Sequence, residues 1–121
     1  MSLTITADFL QRFVGGQLEY ENTMGHYRFR GEIERVWIEG SKNATMYVLL
    51  KWLAEMGEDS RWHGAVDTLD YSVGLAETSF SEADDSTVHY VSTLIQEKGT
   101  FFPPEGSRLD PLEVEGLQLP S

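Results

Sequence analysis

The chain has 121 residues, 40% of them hydrophobic, with nine Lys and Arg against twenty Asp and Glu and a formal charge of −11. Such a length and composition predict one folded domain over residues 1–121 and exclude wholesale disorder. The acidic balance argues against nucleic acid and anionic membranes, although it also serves solubility alone. There is no cysteine, which removes disulfides, thiolate zinc sites and cysteine nucleophiles.

No apolar run reaches the roughly 18–20 residues that span a bilayer. The first residues, MSLTITADFLQRF, lack the basic and apolar regions of a secretion signal. Cytoplasmic location is the resulting expectation.

In chain order, the first predicted element is a short helix over about 6–14. Thr6 offers an N-cap hydroxyl, and Ile5 and Leu10 fall at the two positions of a hydrophobic staple. Phe9, Leu10, Phe13 and Val14 form one apolar stripe, and Gly15 and Gly16 supply a helix stop. A helix this short needs a docking surface, and one end of a barrel would provide it.

Gln17 to Asn22 alternates as a strand, with Leu18 and Tyr20 on one face, and Asn22 to Gly25 makes a turn. The next strand starts near His26. Tyr27, Phe29 and Ile33 share one face, while Arg28, Arg30, Glu32 and Glu34 share the other. The phase then slips, because Val36 and Ile38 are apolar on the formerly polar parity. One extra residue near Glu34 or Arg35 predicts a β-bulge there. Gly40 to Asn43 turns the chain into Ala44–Met56, which is apolar on both faces. Met46, Val48, Leu50, Trp52 and Ala54 read as one face, and Tyr47, Leu49 and Leu53 as the other. The helix, the tail or another subunit would have to cover the second face.

After the loop Gly57–Ser60, Arg61 to Ala76 reads as one bent strand or two short ones. Glu77 to Ser86 reads as a polar loop, Thr87 to Ile95 as a strand, and Gln96 to Gly99 as a hairpin turn into Thr100–Phe102. Pro103 and Pro104 end that strand. In the tail, 104–121, Asp110 is an N-cap, Pro111 fits the first helical position, Glu113 suits a capping box and Gly116 ends the turn. Order is expected to about residue 117, with fraying beyond it. The sum is a mainly β fold: a small SH3-like barrel or β-roll of about five to seven antiparallel strands over about 17–103. A short N-terminal helix and a packed tail complete it. An OB-like barrel is the alternative; OB-folds usually carry a helix where this chain has only the Gly57–Ser60 loop.

The chemistry-bearing residues point away from an enzyme. Three histidines are present, at 26, 63 and 89, none with a metal-ligand neighbour at helical spacing. His63 and Asp67 would lie roughly 13 Å apart on an extended strand, too far to share an ion with Asp70. The acidic run at Glu82, Asp84, Asp85 and Ser86 lacks the glycine and distal glutamate of an EF-hand. There is no nucleophile elbow and no phosphate loop, and the sequon Asn43-Ala44-Thr45 has no secretion signal behind it. No residue is assigned a catalytic role, no metal site is assigned and no cofactor is expected.

Two groups remain as binding candidates. Tyr27, Trp37, Tyr47 and Trp62 are aromatics of the kind that carry interface energy, and parity turns Trp37 outward, opposite Val36 and Ile38. Arg28, Arg30 and Arg35 form the basic cluster, interleaved with aromatics as in single-strand-binding barrels. Glu32, Glu34 and Glu39 on the same strand favour cross-strand ion pairing instead. The leading expectation is a non-enzymatic protein-interaction module that binds a protein partner or itself. The alternatives are a single-stranded nucleic-acid-binding barrel, and a small ligand-binding protein or enzyme with a carboxylate-containing pocket.

Overall fold

The computed structural model describes residues 2–3, 7–24, 27–40, 45–65, 72–75, 78–82, 86–106 and 108–117. Several expectations lie outside them: the Thr6 cap and its Ile5 staple, the turns at Gly25 and 41–43, and His26. So do Asp67, Asp70, Asp84, Asp85, most of the sequon and the fraying after 117.

The described strands form one sheet. They are β1 (Ser2–Leu3), β2 (Gln17–Asn22), β3 (Arg28–Glu39), β4 (Thr45–Met56), β5 (Trp62–Gly64), β6 (Ser72–Leu75), β7 (Thr78–Glu82), β8 (Val88–Ser92) and β9 (Glu97–Phe102). Eight run in the order β1-β7-β8-β9-β2-β3-β4-β5, and β6 adds to the same edge of β4 as β5. Every strand pair is antiparallel. The sheet curls without closing: among the described residues no ladder joins β6 or β5 to β1 or β7. The inner face nevertheless gathers Leu18, Ile33, Val36, Val48, Leu50, Leu53, Val73, Leu75, Phe80, Val88, Tyr90 and Phe101 into one core. Burial of that face against itself supplies the driving force that curves the sheet.

The N-terminal element is shorter than its apolar stripe suggests. It comprises α1 (Ala7–Leu10) and a 3-10 turn at Gln11–Phe13. Leu10 and Phe13 are fully buried in the core, and the Gln11 carboxamide donates to the Val36 carbonyl at 2.8 Å. Gly15, at φ 89, makes the exit turn that the glycine pair announces.

The predicted slip in β3 is present, and it has a counterpart. Gly31 faces Leu53 but Ile33 faces Leu50, so β4 carries one extra residue opposite Glu32. Arg35 then faces Leu49, so β3 carries one extra residue at Glu34 and the original register returns. The β4 bulge corrects the face assignment made from parity. Val48, Leu50 and Leu53 enter the main core, whereas Trp52 and Ala54 join a separate cluster with Val114. The tail covers that cluster, with Leu109, Leu117 and Trp62 at its margin.

Three local expectations are corrected. The polar stretch 77–86 contains a strand, β7, which pairs with both β1 and β8. The last hairpin turns at Thr93–Gln96 rather than at 96–99, and Gly99 lies inside β9. Among the described residues there are nine strands rather than the expected five to seven. The tail forms its single 3-10 turn at Pro111–Glu113, capped by the Asp110 carboxylate accepting from the Leu112 N–H at 2.9 Å.

Candidate interaction surface

The outer face of the sheet carries the candidate residues, and the paired bulges decide which of them meet. Beyond Glu34, the outward side chains of β3 are Arg35, Trp37 and Glu39. Trp37 pairs in register with Tyr47, which pairs in turn with Gly74. The two rings stack with centroids 5.6 Å apart at 22°. The Arg35 guanidinium lies 4.9 Å from the Trp37 ring, and the indole N–H donates to Glu39 at 3.0 Å. A side chain at Gly74 would press on the Tyr47 ring from 3.2 Å, so glycine there lets the ring lie flat across β6. The result is a half-exposed ledge of two aromatics edged by one guanidinium and one carboxylate. It lies on the β3–β4 hairpin and outside the cluster that the tail covers.

The other two aromatics are placed elsewhere. Trp62 is half-buried at the tail cluster, with the Arg28 guanidinium 5.7 Å from its ring. Tyr27 is 58% exposed and stacks at 6.4 Å on Phe29, which stacks on Tyr20 at 5.4 Å. Tyr27 also lines a shallow groove of about 380 Å³ with Met56 and Glu58. A neighbouring groove of about 420 Å³ crosses β2, β9 and β8 between Glu19, His89, Lys98 and Thr100. Its polar groups are already paired: Lys98 with Glu21 at 3.1 Å, and the His89 ring with the Thr100 hydroxyl at 2.8 Å.

The basic cluster divides. Arg28 and Arg30 converge on one carboxylate, Glu19, at 3.1 and 3.7 Å, while Arg35 stands apart on the ledge. Arg30 also stacks 4.5 Å from the Phe102 ring and donates through Nε to Gln17 at 2.8 Å. Burial lowers the Arg30 pKa from its ordinary value, although Glu19 opposes the shift.

Two sites escaped sequence reasoning. Gln17 is fully buried; its carboxamide donates to the Leu109 carbonyl at 2.9 Å and accepts from the Leu109 N–H at 2.8 Å. A side-chain amide thereby imitates a neighbouring strand and holds the tail. The sequence carries no signal for this, because glutamine is read as surface. The second is a trio: Asp59 and His63, four residues apart across the turn into β5, and Glu115 of the tail. The His63 Nε2 lies 3.0 Å from Asp59, and its Nδ1 lies 3.6 Å from Glu115, which also pairs with Arg61 at 3.1 Å. Each could offer one ligand atom to a metal. As they stand, the two ring nitrogens face different carboxylates, so the imidazole is held between them. The hydrogen bond from His63 and the Arg61 N–H hold the Asp59 carboxyl below its ordinary pKa.

On the sheet, the buried Tyr90 donates its hydroxyl to Glu97 of the neighbouring strand. Burial raises the Glu97 pKa, the Tyr90 hydrogen bond opposing it, and burial also raises the phenol pKa values of Tyr20 and Tyr90. No buried side-chain polar atom among the described residues lacks a partner. Among the same residues no helix is long and apolar enough to cross a membrane. No family model matches the chain, and no curated protein or solved structure matches it.

Proposed function

We propose that the protein is a non-enzymatic interaction module, a small β-roll of SH3-like kind that binds a protein partner through the ledge of Trp37 and Tyr47. The observation that carries this reading is the stacked pair itself. Two large aromatics sit side by side on an outer face, half-exposed and flanked by Arg35 and Glu39. Rigid aromatics beside an arginine contribute much of the energy at protein interfaces, because they bury large area with little loss of side-chain freedom.

The alternatives have weaker support. A nucleic-acid reading needs phosphate-binding cations, and Arg28 and Arg30 share Glu19. A catalytic reading needs a carboxylate open to substrate, and Glu97 is engaged by Tyr90.

The test is selection of a displayed random-peptide library on the wild-type protein, followed by affinity measurement on Trp37→Ala and Tyr47→Ala variants. Loss of a hot-spot aromatic lowers affinity by about 30-fold or more. Circular dichroism should be unchanged, because neither ring is part of the core. Selected peptides that bind both variants as tightly as wild type would overturn the assignment, as would a library that yields no binder.

A further inference from the structure

We propose that the groove beneath the C-terminal tail is a docking site for the tail of a second copy of the chain. In this arrangement residues Arg108–Leu117 of each copy seat on the other.

The tail is bound in the way a separate peptide would be. It touches β5 at one point: the Gly64 N–H donates to the Glu115 carbonyl at 2.7 Å, and the Glu115 N–H donates to the Trp62 carbonyl at 3.0 Å. This is an isolated parallel bridge between His63 and Glu115, a backbone contact of the kind a docked peptide makes on a strand edge. Gln17 grips the tail's other end through both peptide groups of Leu109. Its apolar anchors, Leu109, Val114 and Leu117, meet Trp52, Ala54 and Trp62 in a cluster separate from the main core. The roll's interior is therefore complete without the tail.

Charge fixes direction. Arg61 on the groove faces Glu115 of the tail, while Arg108 of the tail reaches back to Glu32 at 3.0 Å. Opposite signs at opposite ends allow one orientation only, whichever copy supplies the tail.

The connection suits exchange. Between Phe102 and Arg108 lies the turn Pro103–Gly106, closed by the Gly106 N–H donating to the Pro103 carbonyl at 2.9 Å. Opened, the six steps from Phe102 to Arg108 reach roughly 20 Å. An exchanged tail would remake every contact it makes in its own chain, with only this hinge altered, which is the low-cost route to a dimer. The formal charge of −11 opposes approach of two copies. Exchange therefore rises with salt as well as with concentration.

The absence of native cysteine makes a direct test available. One preparation carries His63→Cys and another carries Glu115→Cys, at positions paired across the bridge. The double variant in a single chain serves as the geometric control. The two single variants are mixed at high concentration and high salt, then diluted and oxidised. The expected product is a mixed disulfide dimer of twice the 13.7 kDa chain. It should grow with concentration and salt and be suppressed by an excess of a synthetic peptide of residues 108–117. Closure of the double variant within single chains, with no mixed dimer above the level of Glu115→Cys alone, would overturn the proposal. Light scattering on the unmodified protein gives an independent reading: a mass that stays at one chain across the whole salt and concentration series also overturns it.

Discussion

Replacing Gln17 by alanine probes the clamp between sheet and tail most directly. The side chain is fully buried and makes three hydrogen bonds: two with Leu109 and one from the Arg30 guanidinium. A neutral hydrogen bond contributes about 1 kcal/mol net, and one to a charged group about 1.5–3 kcal/mol. Arg30 keeps Glu19 and the Phe102 ring, and its side chain is only 11% exposed, so water replaces the missing acceptor poorly. The sum is a loss of about 4 kcal/mol. For a domain of this size that corresponds to about 15 °C in Tm. The assays are urea unfolding followed by tryptophan fluorescence, and thermal unfolding followed by circular dichroism. Gln17→Glu retains the accepting oxygen for Arg30 and the Leu109 N–H but sets a buried carboxylate against the Leu109 carbonyl, so it too should destabilise. A loss below about 1 kcal/mol for alanine would refute the reasoning. It would mean that Leu109 and Arg30 find equivalent partners once the carboxamide is gone.

Two further outcomes follow from the packing. Gly31→Ala should destabilise by about 3 kcal/mol in the same urea assay, because a side chain there would meet the Trp52 carbonyl oxygen at 2.3 Å; a change within error would sink the bulge geometry. Burial holds the folded-state pKa of Glu97 above its unfolded value, so the charged carboxylate costs stability once pH has risen through the folded-state pKa, and the cost vanishes at acid pH. Glu97→Gln should therefore raise Tm around neutral pH, with the gain shrinking as pH falls. A gain that grows toward acid would reverse the sign of the argument.

Much of the meander was legible in the residues, and its failures have physical causes. The slip in β3 could be read because charged residues hold one parity before it and the apolar Val36 and Ile38 take over that parity after it. The matching slip in β4 could not: Trp52, Leu53 and Ala54 are all buried, so no polar residue records which side each one faces. Strand β7 hides in Thr78, Ser79 and Ser81, which resemble a turn, with Phe80 alone reaching the core. The last hairpin was misplaced because Gly99 looks like punctuation. In the fold it lies flat beneath the Tyr90 ring, where a side chain would come within 2.4 Å of the aromatic carbons. Glycine there serves ring packing rather than reversal of the chain. Of the site, parity turned Trp37 outward, but its stacking on Tyr47 depends on register, which only the paired strands fix.

The two bulges give the central hairpin one residue of slack in each arm. Because they cancel, a lineage that lost Glu34 and Lys51 together would keep the pairing on either flank, from Gly31 with Leu53 to Glu39 with Thr45. Loss of one alone would remove one bulge and leave the pairs on both sides of it, so Trp37 and Tyr47 would stay outward and Val36 and Val48 inward. The hairpin can therefore absorb a one-residue deletion in either arm as a change of local twist, without moving the ledge from its face.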